Sequence, residues 1–219
     1  FDSYRIAWEP IQIVYLALYY LALCIPFVFA GMVTARLLGQ PDLPVGPVYA
    51  ANLLGSALGP LVSLLALPAL AGEGSIMAAA ALAALAAVAL AFVQGAPAKR
   101  PPAAVCGSSL LLAALVALAI WPPAGWVIRL SPYKSLSQTM LRSDAQRIYQ
   151  DWNAFSRIDV VQAGGIRSAP GMSLSYTRVP PGQLGLFVDG DNLSPIQTRQ
   201  DADALEYLDY TPEAVLLRL

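Results

Sequence analysis

The chain has 219 residues, 57% of them apolar and only 12% charged, about half the charged share of an ordinary soluble protein. It contains no histidine, which excludes Ser-His-Asp and Cys-His catalysis and every His-ligated zinc site. A formal net charge of −1 points away from nucleic acid and other polyanions as partners.

Charge is unevenly placed along the chain. Residues 1–128 hold eight charged side chains (Asp2, Arg5, Glu9, Arg36, Asp42, Glu73, Lys99 and Arg100), and residues 129–219 hold nineteen. The first part therefore reads as a membrane domain and the second as a soluble module. The chain opens at Phe1 without the charged n-region and cleavage pattern of a signal peptide, and reads as a segment of a longer protein.

Four charge-free windows run from Pro10 to Ala35, Leu43 to Gly72, Gly74 to Ala98 and Pro101 to Ile128. A helix crosses the hydrocarbon core with about 20 apolar residues, so each window holds one span. The expected spans lie near 11–33, 48–70, 75–93 and 105–127, an α-helical membrane bundle of about four transmembrane helices. Pro26 and Pro60 each remove a helical hydrogen bond and are expected to kink their spans. Cys24 and Cys106 lie inside apolar stretches and read as small packing residues, not as a disulfide or metal pair. No Asp, Glu, Lys or Arg falls mid-span, so the usual mark of an ion or proton path is missing. The positive-inside tendency puts the Arg36 and Lys99/Arg100 loops in the cytoplasm, while Arg129 and Lys134 pull the other way. The side that carries the soluble module stays open.

After Arg129 the pattern becomes that of a small α+β module with a short antiparallel sheet, over residues 129–219. Ser143 is a helix cap for Asp144–Trp152, with Ile148 and Trp152 one turn apart on a buried face. Residues 156–163 are β-rich and end at the Gly164-Gly165 turn. Residues 173–177 alternate small and apolar residues, and 183–188 form a third strand leading into Asp189-Gly190-Asp191-Asn192. A helix follows around Asp201–Tyr210, and Thr211-Pro212-Glu213 starts another. Asp201, Asp203 and Glu206 read as the dipole-favoured first turn of that helix, or as a carboxylate cluster for a cationic amine.

Three stretches carry a resemblance. Ser131-Pro132-Tyr133-Lys134-Ser135-Leu136-Ser137-Gln138 directly after a membrane span, Gly185-Leu186-Phe187-Val188-Asp189-Gly190-Asp191, and Glu206-Tyr207-Leu208-Asp209 together resemble the membrane-fused branch of the spermidine synthase (polyamine aminopropyltransferase) family. The likeness covers about residues 129–219. It implies a membrane half, a small N-terminal β module, and a downstream Rossmann-like domain that binds decarboxylated S-adenosylmethionine or S-adenosylmethionine. It further implies aminopropyl transfer to a small amine substrate, a setting in a bacterial inner (cell) membrane, and assembly into a homo-oligomer. By the same likeness Tyr207, Asp209 and Asp189 are the substrate-binding candidates. No catalytic residue, metal ligand or cofactor cradle is assigned within this segment.

Two departures bear on activity. Lys134 stands where those synthases have Gln, and Leu208 replaces a His whose ring contacts the nucleoside in the family. The Gly-rich loop and the Asp that acts as general base do not occur before Leu219, so this segment alone is not expected to catalyse. The alternative reading is a membrane transporter segment with a soluble regulatory appendage.

Overall fold

A computed structural model describes residues 2–41, 43–93 and 102–217. The chain divides into two units, Phe1–Leu61 and Val62–Leu219.

The first unit contains α1 (Ile11–Leu38) and the start of α2 (Val45–Val93). Helix α1 runs through Pro26 without ending. Apolar side chains are exposed all along it, and its one buried residue is Gln12. Gln12 explains itself, since its amide accepts the Asp2 N–H at 2.8 Å and donates to Glu9 at 3.0 Å.

The second unit holds the rest of α2, then α3 (Pro102–Ile120) and a small α+β module. Among the described residues two helices, α1 and α2, are long and apolar enough to cross a membrane. The expected count of about four separate spans is not what the structure has. Residues 48–70 and 75–93 fall in one helical element, α2, which carries a break at Ala71. The fourth expected span is also shorter, with its described apolar stretch at Val105–Ile120. Pro122 and Pro123 cannot continue a helix, so residues 121–127 leave it. The expected loop cations Lys99 and Arg100 lie outside the described residues. Cys24 and Cys106 are both free and both exposed, so neither is a packing residue here.

Helix α2 is broken at Ala71, where φ is 57° and ψ is −175°, a conformation foreign to a helix. A Cβ added to Gly74 would lie 2.9 Å from the Leu70 Cβ and 2.6 Å from the Ala119 carbonyl oxygen. Along a straight helix, Cβ atoms four residues apart are separated by about 5–6 Å. The chain therefore bends sharply between Leu70 and Gly74, against the end of α3. Glu73 fastens this bend to the linker by accepting the Ile128 N–H at 2.7 Å. Gly72 lies against Ile128 and the Trp152 ring, where an added Cβ would come within 2.9 Å of each.

The module is a four-stranded antiparallel meander, β1 (Gln146–Trp152), β2 (Arg157–Gln162), β3 (Gln183–Val188) and β4 (Asp191–Gln197), in that spatial order. A one-turn helix, α4 (Ser135–Thr139), precedes it. The short helices α5 (Ala202–Leu205) and α6 (Pro212–Leu217) follow, separated by a 3₁₀ turn at Glu206–Tyr210. Leu136, Val161, Ala163, Ile166 and Phe187 form its small core.

Three expectations are corrected here. Residues 146–152 form a strand and not a helix, because they pair along the whole of β2 from Gln146↔Gln162 to Trp152↔Arg157. Ile148 is the extra residue of a bulge between Arg147 and Tyr149, and it is exposed. Residues 173–177 form no strand. The Ser173 and Ser175 hydroxyls bond each other, Ser173 Oγ takes the Ser175 N–H, and the Ser173 N–H goes to Tyr210, as serine-rich turns do. Finally, β4 extends the sheet past the Asp189-Gly190 turn. Pro195 sits inside it, which an edge strand tolerates.

The bend in α2 gives the first prediction. Gly74→Ala drives a methyl into the Ala119 carbonyl and should destabilise the chain by about 1–3 kcal/mol. Gly107→Ala, with nothing within 4 Å of the new Cβ, should be neutral or stabilising by up to about 1 kcal/mol. Thermal melting of both variants in detergent checks this, and equal melting temperatures would contradict it.

Candidate functional site

The β3–β4 turn consists of Asp189 and Gly190, with φ of 53° and 74°. Two positive-φ residues are what a two-residue hairpin needs to follow strand twist, and Asp-Gly supplies them at low cost. A third positive φ, at Asn192, marks the β-bulge that follows.

This turn is bonded on two sides. Toward β2, Asp189 Oδ1 accepts the Arg157 N–H at 2.9 Å and the Asp189 N–H donates to the Arg157 carbonyl at 2.8 Å. Toward the linker, Lys134 Nζ donates to the Asp189 carbonyl at 2.6 Å, and the Leu136 N–H donates to the Gly190 carbonyl at 3.0 Å. Ser135 Oγ donates to Asp191 Oδ1 at 2.5 Å. Two of the three stretches that carry the family resemblance, 131–138 and 185–191, are thus in direct contact. Lys134, a departure by sequence, is one of the side chains that join them.

Beside the turn lies a cleft of about 290 Å³. Ile128, Leu130 and Trp152 give it apolar walls, and Arg129, Lys134, Arg157 and Asp189 give it charge. Arg157 is held from behind by Asp159, which is 0% exposed. Arg157 Nη2 donates to Asp159 Oδ1 at 2.9 Å and to Gln150 at 3.2 Å. Its Nε lies 2.9 Å from Asp159 Oδ2 as a charge contact without hydrogen-bond alignment. Arg147 Nε adds a second cation 3.1 Å from Asp159. With Arg157 matched by Asp159 and one Asp189 oxygen taken by the turn, Arg129 and Lys134 leave the cleft favouring an anion over an amine.

The third stretch is elsewhere. Tyr207 is 1% exposed. Its hydroxyl accepts from Gln183 at 2.9 Å and from Gln197, and Gln183 in turn takes the Ser168 N–H at 2.6 Å. Tyr176 lies between Tyr207 and Tyr210, with ring centroids 6.5 and 5.1 Å away. Gln183 begins β3 and Gln197 ends β4, so Tyr207 and Asp189 sit at opposite ends of one hairpin. A strand of six residues spans about 17–20 Å, so the two are not neighbours. Asp209 is exposed on the same 3₁₀ turn as Tyr207. Of the nearby carboxylates, Asp201 pairs with Arg199 at 2.8 Å and Glu206 with Arg178 at 2.6 Å. Among the described residues no group of three His, Cys, Asp or Glu side chains could hold a metal ion.

The buried pair of Arg157 and Asp159 escaped the reading of the sequence, though a signal existed. Val161 and Ala163 share their strand face by the two-residue period, and an apolar half of a face predicts that its charged half also points inward. Compared with protein-family models, curated proteins and solved structures, the chain gives no match.

Two predictions follow from this chemistry. Asp159→Asn leaves the Arg157 charge buried and weakly paired, and should cost the module about 3–5 kcal/mol, measured by denaturant unfolding of the chain in detergent. The second concerns acid. The Ser135 hydroxyl above all holds the Asp191 carboxyl below its ordinary 3.8; burial, the next-largest influence, pushes it up, and the Asn192 and Ser135 backbone and the Lys134 charge lower it further. A lowered folded value means the stabilisation is complete above 3.8 and is lost as pH falls through the folded value. Asp191→Asn should therefore lower the melting temperature near about pH 5, and the gap to wild type should close as pH drops toward about 2. A gap that stays constant across that range would contradict this.

Proposed function

We propose that this chain is the membrane anchor and substrate-side module of a polyamine aminopropyltransferase-like enzyme. The observation that carries the reading is the clamp between the Ser131–Leu136 stretch and the Asp189-Gly190 turn. These are two segments of the family likeness, and they meet at the β3–β4 turn of a small antiparallel sheet that follows apolar helices.

The reaction would be alkyl transfer. An amine nitrogen attacks the carbon beside a sulfonium, the carbon–sulfur bond breaks with its electrons left on sulfur, and the amine proton passes to a carboxylate. The donor, decarboxylated S-adenosylmethionine or S-adenosylmethionine, and the general base belong to a Rossmann-like domain outside this sequence. Asp189 locks the turn on which such a domain would rest. Tyr207 sets the position of the 3₁₀ turn, and Asp209 presents a carboxylate to a small cationic amine. Leu208, 41% exposed, offers no hydrogen bond where the family has His, so the nucleoside contact must differ from that of the synthases.

The same reading gives α2 two passes. Its break at Ala71 and the close approach of Gly74 to Leu70 support residues 45–70 and 72–93 as separate crossings, with the Ala71–Gly74 bend on the membrane face that carries the module. The setting is a bacterial inner (cell) membrane, with a homo-oligomer as the assembly.

The full-length protein in detergent should gain thermal stability with decarboxylated S-adenosylmethionine and, with putrescine added, form the aminopropylated amine. Asp209→Asn should reduce the stabilisation given by putrescine and leave that given by the donor unchanged. If neither compound raises the melting temperature and no product forms, the inherited substrate pair is wrong.

A further inference from the structure

The β1–β2 hairpin turns through Asn153-Ala154-Phe155-Ser156, and Phe155 at its tip is 84% exposed. The turn is held by its polar side chains. Asn153 Oδ1 accepts the N–H of Phe155 at 2.8 Å and of Ser156 at 2.7 Å, and the Asn153 N–H donates to the Ser156 carbonyl at 2.9 Å. None of this requires a phenyl ring, yet the fixed turn presents one outward. Its place is the second observation. Trp152, immediately before the turn, packs on Gly72 at the bend of α2 and on a cleft shared with Ala71, Glu73 and Trp126. Phe155 is three residues further on, so at about 3.3 Å per residue its Cα lies within about 10 Å of that of Trp152. Exposed Trp121 and Trp126 occupy the same end, just past α3, the level at which indole rings collect at a bilayer surface. Arg129, exposed and without an ion pair among the described residues, stands next to them.

We propose that the β1–β2 turn is a membrane-dipping loop, with Phe155 inserted at the boundary between headgroups and acyl chains and Arg129 placed on lipid phosphate. The module is then held to the bilayer at a second point, separate from its covalent linker. The partner is a lipid surface because the exposed ring, the indoles and the free cation continue the apolar surface of the helices at their end, as an interfacial anchor does. This inference rests on the helices lying in a membrane.

The test uses the full chain in nanodiscs, with Cys24→Ala and Cys106→Ala removing both native thiols, and one new cysteine per variant carrying an environment-sensitive fluorophore. Phe27→Cys reports from the middle of α1. Phe155→Cys reports from the proposed loop. Leu174→Cys reports from a 99% exposed position in the loop bonded to Tyr210, toward the other end of the hairpin. Lipids with brominated acyl chains should remove most of the emission at positions 27 and 155 and leave position 174 unchanged. Quenching at 27 alone overturns the proposal and keeps the membrane reading, and so does equal quenching at 155 and 174. No quenching at 27 overturns both.

Discussion

The helices of this chain keep their apolar side chains on the outside. Along α1, Leu18, Leu21, Leu23, Phe27 and Phe29 are all more than half exposed, and on α2 so are Leu54, Leu58, Leu61 and Leu65. Transfer of one such side chain out of water is worth about 1.5–3 kcal/mol, and dozens of them stand uncovered. No arrangement of so few charges keeps that surface in water. Lipid removes the cost without any change of fold, since the backbone of a helix already satisfies its own hydrogen bonds.

The small α+β module is tied to the helix bend in a specific way. Its own core is small, and half of its inward β2 face is the ion pair of Arg157 and Asp159. A buried pair of this kind contributes little net stability, and loss of either partner strands the other's charge. Arg157 also bonds Asp189 through its own backbone, its N–H donating to Asp189 Oδ1 and its carbonyl accepting the Asp189 N–H, so the pair reaches the β3–β4 turn and, through Lys134 and Ser135, the linker from the membrane. Glu73 and Gly72 meet the other side of that linker. Helix bend, linker, ion pair and turn thus form one continuous set of contacts, which fixes how the proposed substrate-side surface is presented.

Much of this could be read from residues alone where one local rule decided the outcome. The strands at 157–162 and 183–188 follow from β-branched and apolar alternation, and the Asp-Gly turn and the Pro212 helix start follow from turn and cap chemistry. The failures came where tertiary pairing won. Gln146–Trp152 has helical spacing between Ile148 and Trp152, but Arg147 is drawn to Asp159 across the sheet, and the strand results. Pro195 hid β4, because a proline is compatible with a strand only at an edge, and edge position is a property of the whole sheet. At the candidate site, the likeness placed Asp189, Tyr207 and Asp209 in one group. The hairpin between them separates the turn from the tyrosine, a distance that motif order in a sequence does not contain.

The central claim is that residues before Arg129 reside in lipid, and extraction of native membranes tests it most directly. After an alkaline carbonate wash, the chain should remain entirely in the membrane pellet and come into solution only with detergent. Recovery of a monodisperse, folded chain in the detergent-free supernatant would contradict the account.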